Sequence, residues 1–182
     1  MKFEDRIHEP RFTTKQASEA TGVNWETMRG WIKRKIILAE PDDDVRAVKA
    51  QGSPYLLSFA RVMQIAITAH LEKLGIPPSL GGRLALKFTD IGEAVSWWGD
   101  DMPPINRRPG QLYSEGYTIL AVYAGEEFGY VFNCSGPNDA DFFQKLFFPA
   151  GCRVTSPKLA AVVWIDRIFK DLKYNLNAGE NA

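Results

Sequence analysis

Gly22 constrains this chain more than any other single residue. It stands between two short amphipathic stretches in the run RFTTKQASEATGVNWETMRGWIKRKIIL, residues 11–38. A glycine at the end of a helical pattern accepts a left-handed backbone, so a first helix stops there. Thr13 and Thr14 open that helix, because a hydroxyl at this place accepts an orphan backbone N–H. Ala17 and Ala20 are small enough to admit a second helix close by. Asn24 caps that second helix, which is expected to run to about Lys35. Trp25, Met28 and Ile32 recur at spacings of three and four, which makes one apolar stripe and assigns Trp25 to the core. Glu26, Thr27, Arg29 and Lys33 point away from that stripe. Two short helices, a glycine turn and a polar outer face on the second helix describe a helix-turn-helix, whose second helix can enter a DNA major groove.

The distribution of charge agrees with this better than its total does. The 182 residues carry 22 Lys+Arg and 22 Asp+Glu, so net charge gives no sign of nucleic acid. Within residues 11–38 the balance is 6 basic to 2 acidic, and over residues 90–182 it is 8 to 12. A local basic face matters more for DNA than the overall balance. The two cysteines, Cys134 and Cys152, and the two histidines, His8 and His70, lack the spacing of a metal site. No metal or cofactor is expected. The opening MKFEDRIHEP has no apolar core of a signal peptide. The apolar-rich run Tyr55–Leu74 is interrupted by Arg61, Gln64, His70, Glu72 and Lys73, which argues against a membrane span. The expected location is the cytoplasm, at the nucleoid.

Residues 1–10 read as a polar arm or a short lead-in. The segment 39–54, AEPDDDVRAVKAQGSP, suggests a wing: a strand near Ile36–Ala39, a tip carrying Arg46 and Lys49, and a return strand near Tyr55–Leu57. Asp42, Asp43 and Asp44 read as a solvated loop turned away from the duplex. Three consecutive carboxylates lack the alternating ligands of an ion loop. Ser58 caps a helix over Phe59–Leu74 whose apolar residues cover more than one face, so it is buried on several sides. Gly75 and Pro77–Pro78 end it, and a further helix is expected over Ser79–Phe88. A short helix over Asp90–Trp98 and a Pro- and Gly-rich boundary over Gly99–Gly110 follow. Beyond it, Tyr117–Ala124 and Phe128–Cys134 form a hairpin. A helix is expected over Asp139–Phe148, strands over Cys152–Thr155 and Leu159–Ile165, and a last helix over Asp166–Leu176.

The order of short motifs resembles the opening of MerR-like winged-helix regulators. The residues that carry the likeness are Thr21-Gly22-Val23, Thr27-Met28-Arg29, Trp31, Lys33-Arg34 and Ile36-Ile37. Gly52, Tyr55, Ser58 and the closing Leu74-Gly75-Ile76 continue it. The likeness covers residues 11–77 and implies DNA binding. Four features depart from that family: Ser53-Pro54 stands where its wing usually carries an Arg-Tyr pair, Gly30 occupies a place often taken by an aromatic, a mixed β/α segment replaces its long C-terminal dimerisation helix, and the clustered cysteines of its metal-sensing members have no match.

The candidate DNA contacts are Thr14, Lys15, Asn24, Glu26, Thr27, Arg29, Trp31, Lys33 and Arg34, with Arg46 and Lys49 on the wing. Arg29 can pair bidentately with guanine or grip a phosphate, and Lys33, one turn on, acts as a point charge. Trp31 either packs beside the sugar-phosphate backbone or fills the core. The dense C-terminal aromatics, among them Tyr113, Tyr123, Phe132 and Trp164, fill a core or dimer face, or else wall an effector site. No nucleophile, base and orienting group come together in the sequence, so no catalysis is expected.

The expected fold is α+β. A winged helix-turn-helix with its following helices spans 1–98, a linker 99–110, and a small β/α dimerisation or effector region 111–182. The expected function is that of a sequence-specific transcriptional regulator that binds double-stranded DNA as a homodimer, with a small molecule or a protein as effector. An excisionase-like architectural protein and a protein-interaction module using the same helical surface are the alternatives.

Overall fold

The computed structural model describes residues 6–37, 56–92, 107–123, 127, 129–148 and 159–180. Phe12–Thr13 forms a short strand, β1. Thr13 then caps α1 (Thr14–Thr21) in a reciprocal capping box. Its hydroxyl accepts the Gln16 N–H at 3.2 Å, and the Gln16 side chain accepts the Thr13 N–H at 2.9 Å. Gly22, at φ +69°, ends α1 and donates its N–H to the Ser18 carbonyl. Asn24 accepts the Glu26 N–H at 2.8 Å and opens α2 (Trp25–Lys33). Met28 and Trp31 are buried and join Ala17 in the core.

The expected strand at 36–39 does not begin where the sequence suggested. Ile36 and Ile37 are bent rather than extended, and Ile37 is fully buried. The return strand exists as β2 (Leu56–Leu57), but it pairs antiparallel with β1, setting Phe12 opposite Leu57 and Thr13 opposite Leu56. Burial explains the choice: Phe12 and Leu57 are both core residues. The lead-in is therefore no loose arm from Ile7 onward. Ile7 is 2% exposed and its carbonyl accepts the Ala60 N–H at 3.0 Å.

Ser58 accepts the Arg61 N–H and opens α3 (Phe59–Lys73). Every residue from Phe59 to Thr68 is buried, as the apolar pattern on several faces required. Gly75, at φ +84°, closes the helix, and the Ile76 N–H returns to the Leu71 carbonyl. The chain then doubles back as α4 (Pro78–Thr89). Gly81 and Gly82 let α4 come close to its neighbours. A Cβ on Gly82 would stand 2.3 Å from the Ile36 carbonyl oxygen, so the exit from α2 passes directly over this glycine.

Two arginines fix the far end of α3 and α4. Arg61, 6% exposed, donates to both oxygens of Asp90 and to Gln64 at 3.0 Å. Burial pushes the Asp90 carboxyl up, but hydrogen bonds from Arg61 and Thr89 and the Arg61 charge outweigh it. The group therefore lies below the usual carboxylate range. Arg107 is also buried and donates to the carbonyls of Lys87, Phe88 and Ile91, a cationic cap on the C-terminus of α4. Gly110 donates to the Phe88 carbonyl at 2.8 Å. The 107–110 end of the sequence-level boundary is thus bound to the helical core.

The strands β3 (Tyr117–Tyr123), β4 (Gly129–Cys134) and β5 (Ala160–Trp164) form an antiparallel sheet in the order β4-β3-β5. Alternation divides its faces. Leu120, Val122, Val131 and Val163 join the helical core. Ile119, Ala121, Tyr123 and Phe132 pack on the other side around Leu146 of α5 (Phe142–Phe147), and the Tyr123 hydroxyl donates to the Leu146 carbonyl at 2.7 Å. β5 runs directly into α6 (Ile165–Glu180), which packs Ile168, Phe169, Leu172 and Leu176 inward. The Phe59 and Phe169 rings meet edge to face at 4.9 Å between centroids. Asp166, in the first turn of α6, accepts the Thr118 N–H at 2.6 Å, and burial pushes its carboxyl above the usual range. The architecture is α+β, and one apolar interior joins residues from Ile7 to Leu176. The expected wing tip with Asp42–Asp44, Arg46 and Lys49, the expected helix over 93–98 and the expected strand at Cys152–Thr155 fall on residues outside the described ones.

Candidate nucleic-acid interface

The outer face of α2 brings together four of the predicted contacts, Glu26, Thr27, Arg29 and Lys33. Glu26, Arg29 and Lys33 are exposed and fall at i, i+3 and i+7, one stripe along the helix. Thr27 flanks that stripe and is exposed as well. Glu26 in the first turn and Lys33 in the last match the helix dipole. The opposite face carries Met28 and Trp31, both 1% exposed, so the stripe rests on a well-packed base. Ser18 Oγ donates to the Val23 carbonyl at 2.7 Å and ties the turn between the helices to α1.

Of the two readings of Trp31 the geometry selects the core and removes it from the candidate contacts. Its indole fills the core and offers no surface to a phosphate backbone. Trp25 is corrected in the opposite sense. The apolar stripe assigns it to the core, yet it is 45% exposed, with the Arg29 guanidinium 5.2 Å from its ring centroid. Met28 could anchor a stripe with Trp25 or with Trp31. The core lies toward the C-terminal end of α2, where Ile36 and Ile37 meet the other helices, so Trp31 is chosen. The Trp–Arg spacing of four was the sequence signal for this surface pair, which is a cation–π contact.

The remaining candidates are less available. Asn24 already spends its side-chain oxygen on the cap. Arg34 donates its Nε to the Gly30 carbonyl at 3.2 Å. Lys15 lies 3.9 Å from Glu19 in an exposed pair, an arrangement that holds little energy. Thr14 is half-buried at the start of α1. Arg46 and Lys49 lie outside the described residues.

No protein-family model matches the chain, and no curated protein matches it. Among the described residues no group of three or more His, Cys, Asp or Glu could hold a metal ion. No helix among them is long and apolar enough to cross a membrane. His70 is not enclosed: it lies at an exposed position of α3, with Nδ1 2.8 Å from the Ala66 carbonyl. Cys134 is buried, with its Sγ 3.3 Å from the Gly136 carbonyl. The C-terminal aromatics divide as the sheet does. Tyr123 and Phe132 are core residues, whereas Phe143 on α5 and Phe148 at its C-cap are 71% and 68% exposed and mark a candidate contact surface.

Proposed function

We propose that this chain is a sequence-specific DNA-binding transcriptional regulator, without catalytic activity, built on a winged helix-turn-helix and acting as a homodimer. The observation that supports the reading is the α2 face. Arg29 and Lys33 stand exposed one turn apart on a helix whose other side is fixed by Met28 and Trp31. In this reading α2 lies in the major groove, Arg29 addresses a base edge or phosphate, and Lys33 a phosphate. Two copies on adjacent half-sites supply the affinity that one short helix lacks. The MerR-like order of motifs points the same way.

The test is to sequence genomic fragments retained by the full chain at moderate salt. A palindromic motif with half-sites about one helical turn apart is expected. Arg29→Ala should weaken binding to that motif by about 1–3 kcal/mol. The slope of log affinity against log salt should become shallower by about 0.9 for each phosphate that a variant no longer neutralises. Retention that does not depend on salt, or no retention, would refute the reading.

A further inference from the structure

A groove of about 460 Å³ opens between the end of α1, the second half of α3, β5 and α6. Its size falls in the range of small-molecule sites. Ala66, Val163, Ile168 and Leu172 are all at least nine-tenths buried and make its apolar floor. The Trp164 indole, half exposed, stands at one wall. The charges are confined to the rim and are unequal. Lys73 and Arg167 are basic and Asp171 is acidic, which leaves one positive charge in excess. Arg167 and Asp171 are exposed and 3.7 Å apart, a loose pair. Lys73 makes no ion pair among the described residues.

Two helix C-termini also border the groove, and their carbonyls would repel an anion if left open. They are closed. Gly75 and Ile76 donate to the Glu72 and Leu71 carbonyls at the end of α3. At the end of α1, Gly22 donates to Ser18, Thr21 to Ala17 and the Asn175 amide to Ala20.

We propose that this groove binds a small amphiphilic monocarboxylate, its apolar chain or ring on the Ala66–Val163–Ile168–Leu172 floor and its carboxylate at Lys73 and Arg167. The single excess charge on the rim matches a monoanion. The floor supplies the apolar contact, and each methylene buried there strengthens binding about fourfold. Nothing in this assignment depends on DNA binding, and its test uses no DNA.

Isothermal titration of the full chain with sodium decanoate, sodium octanoate and decyltrimethylammonium, each below its micelle concentration, tests it. Decanoate should bind saturably at one site per chain, octanoate about sixteenfold more weakly, and the cation not measurably. Lys73→Gln should weaken decanoate about fivefold, the worth of one exposed charge contact. Lys73→Glu should abolish it. Lys73 is exposed, so both variants leave the core intact. No saturable decanoate binding, equal binding of the decyl cation, or decanoate binding unchanged in Lys73→Gln would each overturn the proposal.

Discussion

Gly81 and Gly82 are adjacent on α4, and replacing each with alanine should give opposite results. Alanine is favoured over glycine in a helix interior by about 1 kcal/mol. At Gly82 that gain meets a wall. The new Cβ would stand 2.3 Å from the Ile36 carbonyl oxygen and 3.0 Å from the Ile36 Cγ2. Reaching an ordinary contact requires a backbone shift of about 1 Å, and well-packed interiors yield little. Such overpacking costs about 1–3 kcal/mol. Part of the gain is also forfeited because Gln64 donates to the Gly82 carbonyl at 3.1 Å and must move with it. Gly82→Ala should therefore be destabilised by about 0.5–2.5 kcal/mol net, a fall in Tm of about 1–10 °C for a chain of this size. At Gly81 the nearest atoms to the new Cβ belong to Thr68 and Leu71, at 3.4–3.6 Å. Gly81→Ala should be neutral or more stable by up to about 1 kcal/mol. Parallel urea denaturation, followed by circular dichroism, reads both. Gly82→Ala at or above the parent stability would refute the close approach of the α2 exit to α4. So would an equal loss in Gly81→Ala.

The two tryptophans of α2 should separate just as sharply. Trp31→Ala should lose about 3–5 kcal/mol by opening the core, and Trp25→Ala about 1 kcal/mol or less by removing an exposed cation–π pair. Denaturation midpoints in the reverse order would contradict their assignment. Asp90→Ala leaves the buried Arg61 guanidinium with Gln64 but without its carboxylate and should lose about 3–5 kcal/mol near neutral pH. Because the folded Asp90 pKa is depressed, its contribution is present above the unfolded value of about 3.9 and is lost as pH falls through the folded value. The stability gap between parent and variant should hold steady from pH 7 to 5 and shrink below pH 4. A gap that widens on acidification would refute the ion pair.

What the sequence disclosed was local. Thr13, Gly22, Asn24, Ser58 and Gly75 each mark a helix end through their own side chain or φ angle, so the helices from α1 to α4 were legible to within a few residues. The β3–β4 hairpin showed itself through β-branched and aromatic runs. Long-range choices did not. Leu56–Leu57 could be read as a strand, but its partner, Phe12–Thr13, is decided by a shared core more than forty residues away. Arg107 looked like part of a linker because nothing local shows that three carbonyls await it. The Trp25 and Trp31 exchange has the same origin, since spacing alone fits both. At the candidate interface, Arg29 and Lys33 could be picked out by type and position, whereas the Arg29–Trp25 stack needed the exposure of Trp25 to be known.

No loop residue separates β5 from α6: Trp164 ends the strand and Ile165, wholly buried, starts the helix. A junction with no slack acts as a stiff elbow. The strand and helix must therefore tilt together, and a small rotation at Val163 is amplified with distance along the helix. Asn175 sits ten residues beyond the elbow, roughly 15 Å along a helix, and there its amide donates to the Ala20 carbonyl near the end of α1. The run from β5 through α6 to Asn175 thus ties the edge strand, without an intervening loop, to the end of α1 beside the turn that leads into α2.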